Sequence, residues 1–351
     1  MKRLSVIVPT YNMEQLLPDC LDSLVGSRVI SALDVVVVND GSKDSSLKIA
    51  QGYAAKYPDS VRVIDKPNGN YGSTINAALP TLNGEYVRIL DSDDTFDSAA
   101  LERYIEYLEQ VSGADMVVGP YIEISHNGER KVEYDLYNGK NFGYGRAYDA
   151  ERVFERGVIP FFMMHSIAYR TALLQTTAYH QREGISYTDQ QWCFYPIFYV
   201  SSIAFTDIAL YRYNLAREGQ TMDSRVQIRK ISELVTVVTD MAQYLDSYSS
   251  GLTFARYDFL SGVVFRRMQS TLRKYLLEMD YQSFDLSDFE KTLNSFTKLS
   301  HRAITVPVNG MLKIDLLKRW KKRGTRYSES TRSLLITLDN TMQRIYKLIF
   351  S

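Results

Sequence analysis

Residues 33–42 read LDVVVVNDGS, with Val35, Val36, Val37 and Val38 in succession before Asn39, Asp40, Gly41 and Ser42. β-Branched side chains crowd a helix and suit a pleated strand. A run that is apolar at every position predicts a strand covered on both faces. The same design recurs on either side. Leu4–Val8 stops at Pro9-Thr10-Tyr11-Asn12, Val61–Ile64 is a third run, Val87–Leu90 leads into Asp91-Ser92-Asp93-Asp94, and Met116–Val118 is a fifth. Between them lie helical patterns through Leu16, Leu17, Leu21 and Leu24, through Leu47, Ile49 and Ala50, over Tyr71–Leu79, and over Leu101–Val111. Buried strands alternating with amphipathic helices predict an α/β fold, a mostly parallel sheet flanked by helices. Ligands of such sheets sit beyond the carboxyl ends of the strands. The polar clusters after strands one, two and four are therefore expected to converge on one rim.

Further along, IEISHNGERKVEYDL reads as a hairpin turning at His126-Asn127-Gly128. From Val226 the pattern is helical, with long segments at Ile228–Leu245, Tyr257–Met279 and Ser333–Leu348. The 351 residues carry 41 Lys plus Arg and 41 Asp plus Glu, so the overall charge argues against a nucleic-acid partner. Cys20 and Cys193 cannot build a disulfide framework, which points to a reducing, cytoplasmic setting. Pro9 cuts the first apolar run too short for a signal peptide. No run approaches the roughly 18 apolar residues of a membrane span, so none is expected.

Two clusters suggest chemistry. Asp91 and Asp93, one residue apart at the end of a buried strand, suit a hard cation such as Mg²⁺ or Mn²⁺ that also holds phosphate oxygens. The alternative is a capping cluster, with Asp94 or Asp97 at the start of the helix beginning near Ser98. Asp40 ends a fully apolar strand, where a carboxylate needs a partner. That partner is either a nucleobase N–H or the backbone of its own turn at Gly41-Ser42. Tyr11 can stack on a base or pack on the sheet edge.

Four segments, SVIVPTYNMEQLLPDCLDSL (5–24), VVVVNDGSKDSS (35–46), NGNYGSTINAAL (68–79) and GEYVRILDSDD (84–94), stand in an order and spacing that resembles the family 2 glycosyltransferases of GT-A fold. The likeness is close over residues 1–120, looser in YTDQQWCFYPI (187–197) and YRYNLAREGQT (211–221), and absent after about 225. It implies a GT-A nucleotide-sugar domain over 1–225, split into a nucleotide-sugar half (1–120) and an acceptor half (121–225), with 226–351 left as a helical region. It implies transfer of a sugar, with inversion, from a nucleotide-diphosphate donor such as a UDP-sugar to a hydroxyl of a saccharide or lipid-linked acceptor. Pro9, Thr10, Tyr11, Asp40, Lys66, Asn68, Asp91 and Ser92 then map to donor binding, Asp91 and Asp93 to the metal, and Arg217 to a loop over the diphosphate.

Asp189 takes the place of the family's catalytic carboxylate, with Thr188 where the family usually has Glu; a helix N-cap is its other reading. His165 and Trp192 are the candidate acceptor contacts, His165 otherwise being a satisfied core histidine. Relatives often supply a third metal ligand from a histidine late in the domain, and no histidine lies between residues 181 and 300. A glycoside hydrolase or a non-catalytic carbohydrate-binding scaffold is the competing function. Lastly, Lys313, Lys318, Arg319, Lys321, Lys322, Arg323 and Arg326 precede a helical stripe of Leu334, Leu335, Leu338, Met342, Ile345 and Ile349. A basic cluster beside an amphipathic helix suits an anionic membrane surface, which would make the enzyme peripheral. The alternative is packing on its own domain or on a second subunit.

Overall fold

The computed structural model describes residues 2–134, 142–157, 159, 161–215, 224–279, 283–299, 331 and 334. Arg217, the basic cluster of the tail and its predicted apolar stripe apart from Leu334 lie outside them. The chain divides into one unit of residues 1–218 with 253–259 and a second of 219–252 with 260–351.

In the first unit β1 (Lys2–Thr10), α1 (Leu17–Val25), β2 (Leu33–Asp40), α2 (Ser46–Lys56), β3 (Val61–Lys66), α3 (Asn70–Ala78) and β4 (Gly84–Ile89) follow the predicted alternation. Next come β5 (Thr95–Phe96), α4 (Ser98–Gln110), β6 (Met116–Val118), β7 (Tyr121–Ser125), β8 (Gly128–Val132), β9 (Ala147–Asp149) and α5 (Ala150–Arg156). The unit continues through β10 (Ile167–Arg170), α6 (Thr171–Thr176), α7 (Asp189–Trp192), β11 (Ser202–Phe205) and β12 (Tyr211–Asn214).

The main sheet has the order β3-β2-β1-β4-β10-β6-β11-β9. Its first four strands are parallel, in register at Val6↔Val35, Ile7↔Ile89 and Asp40↔Lys66. Val35–Val38 are wholly buried, as their composition requires. The chain leaves β1 for β2 and β3 on one side and returns to β4 on the other, so the β1–β4 junction is where the winding reverses. Such a junction opens a crevice at the strands' carboxyl ends.

Beyond β4 the parallel rule breaks: β10 runs antiparallel to both β4 and β6. This strand was not anticipated, because its four residues carry no alternation of their own. Arg88 on β4, 1% exposed, helps explain how it is held. Its guanidinium lies over the rings of Phe96 and Tyr104 and donates to the backbone carbonyl of His165, just before β10. The expected hairpin is β7–β8, turning at residues 126–127, and a second sheet of order β5-β12-β7-β8 incorporates it.

The second unit contains α8 (Ser224–Arg229), α9 (Ile231–Tyr248), most of α10 (Phe254–Arg273), a π-turn at Lys274–Glu278 and α11 (Leu286–Leu299). Leu234, Val238, Met241 and Leu245 of α9 are buried at helical spacing, as are Phe289, Leu293 and Phe296 of α11. No described helix is long and apolar enough to cross a membrane.

Candidate active site

The rim formed by the ends of β1, β2 and β4 holds two connected clusters. In the first, Asp40 is 3% exposed. Its Oδ1 accepts hydrogen bonds from Lys66 Nζ at 2.8 Å, from the Gly69 backbone N–H at 2.9 Å and from Ser73 Oγ at 3.3 Å. Register explains the first: Asp40 and Lys66 are cross-strand neighbours on β2 and β3. The turn alternative for Asp40 does not hold, since the Ser42 N–H goes to the side chain of Asn39 instead. Oδ2 of Asp40 accepts no hydrogen bond from a described residue, which leaves one oxygen of a charged, buried group available.

Around this carboxylate, Asn68 donates from Nδ2 to the Asp40 carbonyl at 2.9 Å. Pro9 and Thr10 are buried at the end of β1, and Tyr11 is 46% exposed on the rim. Asn12, in the left-handed region at φ 54°, ties this loop to its neighbour. Its N–H donates to Ser42 Oγ at 3.0 Å and its Oδ1 accepts from the Lys43 N–H at 2.7 Å.

The second cluster follows β4. Asp97, not Asp94, caps α4, accepting from the Ala100 N–H at 2.8 Å. Asp94 is 2% exposed and accepts from Tyr211 Oη and the Asn214 N–H, both at 2.7 Å, so it anchors β12 to the rim. Burial, then the neighbouring Asp91 and Asp93, push its carboxyl up to about 9. Ser92 is buried, and Asp91 and Asp93 are half-buried. Asp91 accepts from Tyr71 Oη at 3.0 Å, and its N–H donates to Tyr211 Oη at 3.2 Å.

Asp91, Asp94 and His165 each bring one ligand atom within 4.8 Å of the others, a donor set that could hold a metal ion. The chemistry fits a divalent cation. Carboxylate oxygens are hard donors, and crowding of like charges beside a buried carboxyl is relieved by a positive ion. Asp91 of the sequence-derived metal pair belongs to that set, and Asp93 stands next to it rather than in it.

His165 is 7% exposed, stacked on Tyr213 at 4.1 Å between centroids and edge-on to Tyr211 at 4.7 Å. Burial, reinforced by Arg88, lowers its pKa to about 3 and keeps the ring neutral. Its Nδ1 has no hydrogen-bond partner among the described residues. That orphaned nitrogen argues against the satisfied-core reading of this histidine.

Asp189 is the first residue of the four-residue α7, half-buried, with Thr188 in the cap position making no side-chain cap bond. Tyr187 before it adopts φ 66°, a left-handed turn that redirects the chain into α7. Two tyrosines feel the charge of Asp189 together with that of the rim. Burial and then Asp91 and Asp189 raise the Tyr71 hydroxyl well above its usual value. Burial followed by Asp94, Asp91, Asp93 and Asp189 does the same to Tyr213. Asp91, Asp93 and Asp94 thus crowd one rim, and Asp189 is near enough to act electrostatically on the same two tyrosines.

Trp192 is not in it. Its ring is fully buried, edge-on to Tyr169 and Tyr179 at 5.2 and 5.7 Å, and offers no face to a sugar as it stands. Tyr71, Asp94, Tyr211 and Tyr213 escaped the sequence reading. Nothing in their local pattern separates them from the chain's other tyrosines and capping acids.

An uncharacterized glycosyltransferase of Mycoplasma pneumoniae is 37% identical over 120 residues, covering 33% of this chain and 38% of that one. The poly(ribitol-phosphate) beta-glucosyltransferase of Bacillus spizizenii is 34% identical over 139 residues, 39% of this chain and 22% of its own. The chain thus spans well under two thirds of either curated relative. The crystal structure of S. aureus TarS 1–349 in complex with UDP covers 93% of both chains at 20% identity, with a TM-score of 0.65, a likeness of fold. Residues 5–177 match the model of glycosyl transferase family 2, and the chain belongs to that family.

Proposed function

We propose that the protein is an inverting, metal-dependent glycosyltransferase that moves a sugar from a UDP-sugar to a hydroxyl of a cell-surface polymer or its lipid-linked precursor. The observation that carries this reading is α3, from which Ser73 bonds the buried Asp40 and Tyr71 bonds Asp91 of the cation-type donor set, so that a base-binding carboxylate and a metal site lie beside one helix. Asp40 Oδ2 would accept the imide N–H of uracil while Lys66 and the Gly69 N–H hold Oδ1, and Tyr11 would stack on the base. The structural neighbour's UDP supports that donor, and the polyol-phosphate substrate in the curated relative's name supports the acceptor class.

A divalent cation, when held by Asp91, Asp94 and His165 with Asp93 beside them, would supply charge to stabilise the departing diphosphate. Asp189 would take the acceptor hydroxyl's proton as that oxygen bonds to the anomeric carbon, and the diphosphate would leave with the bonding electron pair on the opposite face. Placement on an anionic membrane surface through residues 313–349 belongs to the same proposal and rests on charge and periodicity alone.

The test is product analysis with a panel of UDP-, GDP- and dTDP-sugars and polyol-phosphate acceptors. Asp189→Asn should lose about 10²- to 10⁴-fold in transfer rate while UDP affinity stays within a few-fold. Transfer by that variant at the wild-type rate would place the base elsewhere.

A further inference from the structure

Helix α3 carries a side chain that behaves like a strand. Asn76 Nδ2 donates to the Gln181 carbonyl at 2.9 Å, and Asn76 Oδ1 accepts the Gln181 N–H at 2.9 Å. The amide thus pairs with both backbone groups of one residue 105 positions away. The same Nδ2 is 2.9 Å from Glu183 Oε1 and 3.3 Å from His180 Nε2. One turn earlier, an added Cβ on Gly72 would stand 2.1 Å from the Arg182 carbonyl oxygen, so the segment lies directly on the helix at a point only glycine allows. At the helix's start the Gly184 N–H donates to the Gly69 carbonyl at 2.8 Å. Three consecutive contacts therefore seat residues 181–184 along α3.

The seated segment in turn holds α7. The Arg182 N–H donates to Gln191 Oε1 at 2.8 Å, and Gln191 is 1% exposed and two residues past Asp189. The same helix also holds the donor cluster, through Ser73 to Asp40 and Lys66 and through Tyr71 to Asp91. One nine-residue helix thus bonds the donor cluster directly and reaches the helix of Asp189 through residues 181–184.

We infer that Asn76 is a positioning residue for Asp189. Its paired hydrogen bonds fix the 181–184 segment, which fixes α7 through Gln191, so that the base is set relative to the donor pocket on the same helix. The inference rests on the reading of Asp189 as the base. Displacing a reacting group by about 1 Å costs on the order of 100-fold in rate, and a half-buried amide with four polar neighbours is a narrow point at which to cause such a displacement.

The experiment uses the full chain carrying Trp320→Phe, which leaves Trp192 as the sole indole of the two in the sequence. Asn76→Asp keeps size and shape but puts a carboxylate against the Gln181 carbonyl and Glu183. Gly72→Ala forces the segment off the helix. For both, kcat should fall about 10- to 100-fold while the UDP dissociation constant changes less than about 3-fold. Acrylamide quenching of Trp192, buried in the same α7, should rise. Unchanged kcat and quenching in Asn76→Asp would overturn the inference. So would equal losses of kcat and UDP affinity, which would make Asn76 a support of the whole pocket. If the parent protein transfers no sugar from any donor, the functional reading fails on its own. Quenching and UDP affinity then still decide whether Asn76 seats the segment.

Discussion

Replacing Asp40 by Asn tests the donor pocket at its most buried charge. The substitution keeps an oxygen where Oδ1 stands but removes the charge that Lys66 Nζ (2.8 Å), the Gly69 N–H (2.9 Å) and Ser73 Oγ (3.3 Å) now share. A hydrogen bond to an ionised group contributes about 1.5–3 kcal/mol, against about 0.5–1.5 for a neutral one. The two short bonds should each weaken by about 1 kcal/mol and the long one by less, for a loss of roughly 2–3 kcal/mol. The stranded lysine adds little, because its side chain is 20% exposed and still donates to the Pro67 carbonyl at 2.7 Å and Ser73 Oγ at 2.8 Å. For a unit of about 200 residues, each kcal/mol moves Tm by about 2–4 °C, so Tm should drop by roughly 4–12 °C. Differential scanning fluorimetry and urea unfolding read the stability, and titration calorimetry reads UDP, whose affinity should fall at least about tenfold. A Tm within about 1 °C of wild type, together with unchanged UDP affinity, would refute the reasoning on both counts.

Asp93→Ala should stay folded, because a half-buried rim carboxylate contributes little packing. It should weaken Mn²⁺ binding by titration calorimetry, since the Asp93 charge stands beside the Asp91, Asp94 and His165 set, and lose most transfer; full wild-type turnover in excess EDTA would retire the metal. His165 is neutral when folded, with a pKa of about 3, whereas the unfolded chain protonates it near 6.5. The unfolded state thus binds the extra proton between those values, so stability falls as pH drops below about 6.5, by about 2 kcal/mol between pH 7 and pH 5. His165→Gln should abolish that part of the acid loss in urea titrations at the two pH values, and an identical pH slope would show that the histidine is not the cause. For the tail, the full chain should co-sediment with anionic liposomes at low salt and a chain ending at Asn309 should not. Equal, negligible binding by both would leave packing as the tail's role.

The strand–helix alternation was legible because it rests on short-range chemistry. Val35–Val38 can only be a strand buried on both faces, and polar residues directly after such strands must come out at one rim. The positions of Asp40 and Asp91 followed from that alone. Asp189 was reached only through the family resemblance, because a lone acid at the head of a four-residue helix reads locally as a cap. Pairing decided the rest. Whether Asp40 bonded its own turn or Lys66 depended on the β2–β3 register, and the antiparallel place of β10 depended on its pairing with both β4 and β6. The division of labour among Asp91, Asp93, Asp94 and Asp97 was likewise tertiary, since four acids in seven residues are equivalent until Tyr211 on β12 arrives to occupy Asp94. The sequence by itself determined the sheet and its rim, through side-chain shape and burial. Which carboxylates share one space, and what orients them, was decided by contacts such as Tyr71–Asp91 and Asn76–Gln181. Those join positions 20 and 105 residues apart, beyond the reach of any local pattern.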